Sequence, residues 1–269
     1  MNPKMNILQI KALTGGISTI IFTAASLPIS TSAQLSPGMR VSLRFPPVAE
    51  RGAPPRTIGT GVRGPACRTQ DYKNVPLSTM LADSRIPLTA LTPENNVVKT
   101  LSAHPSIYVY VPKTKDKQAE FRVLELQTET VVYKSQLALS NTPGIVKLSL
   151  PASVQLDAGK IYQWQFFVIC DPNNREADEG VEGWFERATL STDKATSIQQ
   201  VEPGSLEQAR LYVEDGLWDE TLNILANLRD RNPQAQAAWV DLLDSVQLGA
   251  LAKVSIIDCC RITSSPTEN

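Results

Sequence analysis

Histidine is almost missing from this chain: His104 is the only one in 269 residues. A site built on several imidazoles, for a metal or for relayed proton transfer, is excluded by that count. Cysteine is sparse too. None of the four has the spacing of a zinc site, and one His cannot complete such a set. Neither sign of charge dominates, with Lys+Arg 26 against Asp+Glu 27, so no general affinity for nucleic acid or an anionic membrane is expected. Beyond residue 33 no apolar run is long enough to cross a bilayer. What remains, 20% charged and 42% hydrophobic residues, is an ordinary globular mixture and argues against wholesale disorder.

The beginning of the chain reads differently. Lys4 and Lys11 lead into ALTGGISTIIFTAASLPIS, which carries no charge, and the run ends in TSA with small Thr31 and Ala33. A basic start, an apolar middle and a small-x-small end predict a secretory signal peptide over residues 1–33, removed on export to the periplasm or outer envelope. Gly15, Gly16 and Pro28 weaken the other reading, a retained spanning helix. Removal takes two lysines and no acids, leaving 24 basic against 27 acidic residues, −3. That charge is uneven, +5 over residues 34–75 and −8 over residues 171–232, but two solvated surfaces are the plainer account, since exposed pairs contribute little.

Export makes disulfides available. Cys67, in the turn-rich RGPACR, and Cys170, closing YQWQFFVIC, are expected to pair. The loop of about a hundred residues would contribute on the order of 4–5 kcal/mol in the chain-entropy picture, and less in practice. Cys259 and Cys260 are adjacent. Such neighbours bond to each other only with strain, so free thiols, a link between two chains and a frayed end all stay open.

Residues 34–85 begin with a Pro-, Gly- and Arg-rich arm without hydrophobic period. Inside it GTGVRG, residues 59–64, matches the phosphate-binding G-x-G-x-x-G. Such a loop needs a strand before it and a helix after it, whose N-terminal N–H groups face the pyrophosphate. Here PPRTI precedes and PACR follows, so the glycines are assigned to turns, and no nucleotide or other cofactor is expected. From residue 86 to 191 short apolar runs alternate with turn residues: IPLTALT, SIYVYVP, AEFRVLELQ, VVYKSQLAL, GIVKLSLP, KIYQWQFFVIC and GWFERATL. About seven such strands predict an antiparallel, Greek-key or immunoglobulin-like β-sandwich. In LDAGKIY the Leu, Gly and Tyr stand at i, i+3 and i+6, as in a tyrosine corner, followed by Tyr162, Trp164, Phe166 and Val168 on one face.

Over residues 203–250 the period becomes helical. Leu206, Ala209, Tyr212 and Val213 form one stripe, Trp218, Leu222, Leu225 and Leu228 a second, Trp239, Leu242, Leu243 and Val246 a third. Ser205 is placed to cap the first helix, Gly216 to end it, and Pro233 to open the third. Residues 251–269 read as a tail.

Sites for chemistry are few. His104, followed by Pro105, reads as a turn residue or as a general base without a partner nucleophile. Asp171, Asn173, Asp178 and Glu179 form either a solvated loop or a calcium loop, though the Gly and terminal Glu of the helix-loop-helix calcium site are missing. Glu182 and Glu186 flank Trp184, and all three share one face of a strand. That is either a rim site for a sugar or a core Trp whose strand emerges at both ends.

Ala209, Tyr212, Gly216, Trp218, Leu225, Leu228 and Pro233 fall where a tetratricopeptide repeat has its signature residues, with Thr221 in place of the usual small Ala. The helical part therefore resembles one and a half such repeats, too few for a peptide groove. It is expected to cap the sandwich or dock a partner, with Trp239, Leu242 and Leu243 as contacts if the unfinished edge is free. Over roughly residues 60–248 the chain also resembles a cyanobacterial family, domain of unknown function 928. The likeness lies in RGPACR, PLTALTPENN, HPSIYVYVP, AEFRVLEL, PGIVKLSLP, YQWQFFVICDPNNR, VEGWFERA and Leu217-Trp218-Asp219. The resemblance implies an exported envelope protein of a cyanobacterium and no assigned reaction. The leading expectation is a non-enzymatic envelope scaffold that contacts another envelope protein. A second is a module binding cell-wall glycan through Trp184 and Tyr108. A third, an enzyme acting on envelope polymer, lacks a site.

Overall fold

The computed structural model describes residues 42–54 and 86–262, all within the compact unit formed by Arg40–Asn269. The expected signal peptide, the GTGVRG loop and Cys67 lie outside the described residues. The fold is mainly β. Its strands are β1 (Thr89–Ala90), β2 (Val97–Thr100), β3 (Ser106–Val111), β4 (Gln118–Glu125), β5 (Val131–Ala138), β6 (Gly144–Ser149), β7 (Ile161–Val168), β8 (Glu179–Arg187) and β9 (Arg261–Ile262). Four helices stand between β8 and β9: α1 (Thr192–Gln199), α2 (Leu206–Glu214), α3 (Trp218–Leu228) and α4 (Pro233–Ser245).

The strands form two sheets, ordered β1-β3-β6 and β2-β8-β7-β4-β5-β9. In the six-stranded sheet a period of two separates the faces. Along β7, Tyr162, Trp164, Phe166 and Val168 are buried while Ile161, Gln163, Gln165 and Phe167 are only partly so. β4 and β8 continue the inward row with Ala119, Phe121, Val123, Val181 and Phe185. Residues of both sheets and of α2, α3 and α4 join one hydrophobic core. At its end the Tyr162 hydroxyl accepts from the Asp157 N–H at 3.0 Å, the upstream backbone bond expected of that Tyr.

Two features depart from the expected antiparallel set. β2, formed by VVKT after the PENN turn, went unnoticed in the sequence, and it pairs with β8 in parallel. Asn96 makes this entry: at φ 54 it turns the chain, and its side-chain amide donates to the Glu182 carbonyl of β8 at 2.6 Å. The arm is also not separate. Leu43 and Phe45 are buried, and Phe45 meets the Trp218 ring edge-on at 5.0 Å between centroids.

The helices begin and end where local chemistry dictates. Ser205 accepts from the Gln208 N–H at 3.1 Å, supplying one of the orphan donors of α2. Gly216, at φ 69, separates α2 from α3. Asn232 accepts from the N–H groups of Gln234 and Ala235, with Pro233 in the first position of α4. α1, over TDKATSIQ, was not anticipated.

The expected open apolar edge is corrected by the chain that follows α4. Trp239, Leu242 and Leu243 are each fully buried. Leu248, Leu251 and Ala252 fold back as cover, Trp239 Nε1 donates to the Ala252 carbonyl at 3.1 Å, and the Arg229 guanidinium lies 4.7 Å from the Trp239 ring centroid. Nor do residues 251–262 hang free. The backbone of Ser255 and Ile257 bonds Ile145 at the edge of β6, and β9 then pairs with β5 of the other sheet. Between these two attachments Cys259 and Cys260 are bonded to each other, which is none of the three states left open for them.

Candidate functional site

The outward row of the six-stranded sheet gathers a varied set of polar and aromatic side chains. Strand register assembles it. Trp184 of β8 stands opposite Gln163 of β7, Glu182 opposite Gln165, Gln165 opposite Arg122 of β4, and Arg122 opposite Lys134 of β5. Phe167 lies between Glu120 and Gly180. Because successive strands are about 5 Å apart, these side chains form a continuous band across the sheet.

Hydrogen bonds fix the middle of the band. Gln163 and Gln165 both donate their amides to Glu182 Oε2, at 2.9 and 2.7 Å. Arg122 donates to Gln165 Oε1 and places its guanidinium 5.2 Å from the Phe167 ring centroid. The ring can lie there because its neighbour is glycine: a Cβ on Gly180 would stand 2.4 Å from Phe167 Cδ1. At one end, Glu186 pairs with Arg51 of the arm. At the other, Glu120 is buried and lies 3.4 Å from both Lys134 and Arg175. A cavity of about 300 Å³ opens there, lined by Glu120, Arg122, Lys134, Phe167, Arg175 and Asp178. Burial alone would make Arg175 easier to deprotonate, but its hydrogen bond to Asp178 and the charge of Glu120 outweigh that, so it is held above its ordinary value.

The sequence-predicted residues distribute unevenly over this picture. Trp184, Glu182 and Glu186 do share the outward face; Phe185, not Trp184, is the core residue, wholly buried and 6.4 Å from Trp164 between ring centroids. Trp184 is half-buried. Tyr108 must be withdrawn as a glycan contact. It is 2% exposed, its hydroxyl donates to Asn223 Oδ1 at 2.8 Å, and the Lys147 ammonium covers its ring. His104 Nε2 meets the Ala152 carbonyl at 3.2 Å. The acidic loop does not converge either. Asp171 accepts from the Asn173 N–H, whereas Asp178 is buried against Arg175 and the Cys170 N–H. Among the described residues no group of three or more His, Cys, Asp or Glu side chains is placed to hold a metal ion. Cys170 is disulfide-bonded, while its expected partner Cys67 lies outside the described residues.

Sequence reasoning missed Gln163, Gln165, Phe167, Arg122 and Glu120. The signal was present: once Tyr162, Trp164 and Phe166 are read as inward, the intervening residues of IYQWQFFV face outward. Chemically, the band offers amide donors, carboxylate acceptors and an indole within a few residues, the set that recognises polyhydroxylated ligands. A model of a family described as Domain of Unknown Function (DUF928) matches residues 59–256. No curated protein matches the chain.

Proposed function

The chain belongs to the DUF928 family, and we propose that it acts as an exported, non-enzymatic binding module of the cell envelope whose ligand is a cell-wall glycan. The observation that carries this reading is the half-buried Trp184 beside Gln163 and Glu182 on the outward face of the sheet. An indole stacks on the apolar face of a sugar ring, while amides and carboxylates exchange hydrogen bonds with its hydroxyls. The scaffold reading rested on Trp239, Leu242 and Leu243, and their burial removes its motive.

Several finer readings go with the proposal. The two sheets are taken as a sandwich of Greek-key type, supported by the Tyr162 hydroxyl bond. The helices α2 to α4 are taken as a partial tetratricopeptide-like cap. Cys67 is taken as the partner of Cys170, tying the arm to the end of β7. Export follows from the leader pattern of residues 1–33 and a cyanobacterial envelope from the family resemblance.

Retention of the purified protein on insoluble cell-wall material and on soluble envelope polysaccharides tests the proposal. Wild type is expected to bind, and Trp184→Ala to weaken binding at least about tenfold, since truncating a hot-spot aromatic costs about 2 kcal/mol or more. Absence of retention on every polysaccharide, or equal retention by the variant, removes this reading.

A further inference from the structure

A second cluster lies far from the band in sequence and serves no part of the proposed binding. At the start of α3 the acids Asp219 and Glu220 are adjacent, and both meet one hydroxyl. Thr100 Oγ1, at the end of β2, is 3.0 Å from Asp219 Oδ2 and 2.8 Å from Glu220 Oε1, and it also accepts the Ser102 N–H at 3.0 Å. Asp219 is 4% exposed.

Hydrogen counting constrains the protonation state. A hydroxyl carries one proton. With both acids ionised, Thr100 could donate to only one, and the other contact would set a carboxylate oxygen against a hydroxyl oxygen with no hydrogen between them, away from water. Both contacts become hydrogen bonds when one acid is protonated and donates to Thr100. The remaining donors indicate which. Glu220 Oε1 also receives the Leu101 N–H at 2.7 Å and shares the Ser102 N–H, at 3.2 Å, with Thr100, which stabilises negative charge there. Asp219 Oδ1 receives the Ser106 N–H and the Asn223 amide, at 3.2 and 2.6 Å, leaving Oδ2 to carry the proton. The relay then runs from Asp219 Oδ2 to Thr100 Oγ1 to Glu220 Oε1. Glu220 Oε2 is buried and has no hydrogen-bond partner among the described residues, so a second full charge meets no further donor there.

The surroundings agree. Burial, and then the charge of Glu220, push Asp219 up to about 7. Burial also raises Glu220, against the pull of the Leu101 N–H. From β6, Lys147 faces Asp219 and favours its ionised form, though burial holds that ammonium below its ordinary value. From β3, Tyr108 is kept neutral by burial and by Asp219. From α2, Tyr212 is raised by burial and by Glu220. Arg187 of β8 reaches the carbonyl of Leu101, beside the relay.

We infer that Asp219 and Glu220 hold one proton between them, and that this proton latches α3 to β2 and β3 and is released as the surroundings turn from acidic to alkaline. Two buried carboxylates then repel across Thr100, and the attachment of the helices to the sheets weakens. A group whose folded value is raised stabilises fully below its unfolded value, and that contribution is lost as pH rises through the folded value. The window therefore runs from about 4 to about 7.

Thermal unfolding of the full chain at pH 5.5 and pH 8.5 tests this, alongside Asp219→Asn. The Asn amide donates to Thr100 as the protonated acid does while its carbonyl keeps the bonds at Oδ1. Wild type should melt lower at pH 8.5 than at pH 5.5, and the variant should show a smaller difference and a higher Tm than wild type at pH 8.5. A variant with the wild-type pH dependence, or one destabilised equally at both pH values, overturns the proposal. Should the variant fail to fold, carboxyl carbon titration of labelled wild type decides: an Asp219 signal moving near neutrality supports the latch, and one moving near pH 4 overturns it.

Discussion

The two sheets solve different problems with similar strands. In the three-stranded sheet, β3 is buried at every position from Ser106 to Val111, and β1 likewise. Over β3 its far face is covered by the helices, where Tyr108 reaches Asn223 of α3 and Ser106 reaches Asp219, while Lys147 and Ser149 of β6 stay exposed. In the six-stranded sheet β5 and β7 bury a single row, and the outward face carries Trp184, Gln163, Gln165, Arg122 and Phe167. The comparison teaches where function can reside. A strand covered on both sides, as β3 is, has no surface to offer, so its aromatics serve packing. The half-covered sheet keeps polar side chains at fixed spacing on a rigid frame, and that is what a binding face needs.

Substitutions in the shared core should do most to break the contrast. Trp164→Ala, on the inward row, is expected to cost about 3–5 kcal/mol through the cavity it leaves, read by urea unfolding. The next largest effect tests the strap between the sheets. A Cβ on Gly144 would stand 2.5 Å from Ile257 Cγ2, so Gly144→Ala should cost about 1–3 kcal/mol and raise hydrogen exchange at Ile257 and in β9. Asn232→Ala removes the cap of α4 and should cost about 1 kcal/mol, with Tm lowered and both sheets retained by circular dichroism. Smallest in stability and decisive in function is Trp184→Ala, expected to change unfolding by no more than about 1 kcal/mol while weakening retention on the glycan. If instead Trp184→Ala destabilises as much as Trp164→Ala, the outward row is packing and the contrast between the sheets fails.

Legibility followed the reach of each signal. The row Tyr162, Trp164, Phe166 and Val168 was readable because alternation along one strand needs no knowledge of its neighbours. The helical stripes of Ala209, Trp218 and Trp239 were readable for the same reason, as was the Ser205 cap. The stripe of α4 was found, but its cover was not, since Leu248, Leu251 and Ala252 lie in an irregular segment with no period of its own. β2 was missed because four residues behind a turn carry little pattern, and its parallel partner lies more than eighty residues away. The band was half legible. Trp184 with its flanking acids stood out as a motif, but Gln163, Gln165 and Arg122 join it only through strand register. Tyr108 looked like a surface aromatic because nothing local to β3 reveals that α3 lies upon it. Likewise no local pattern sets Thr100 against Asp219 and Glu220.

From the amino-acid sequence by itself came the mainly β character, the switch to helices beyond residue 203, and the inward rows, since these follow from backbone geometry repeated every two or 3.6 residues. Tertiary structure alone decided which faces stay open, which tail closes them, and which acids share a proton. Those outcomes depend on register and on contacts between distant segments, and no periodicity within one segment encodes them.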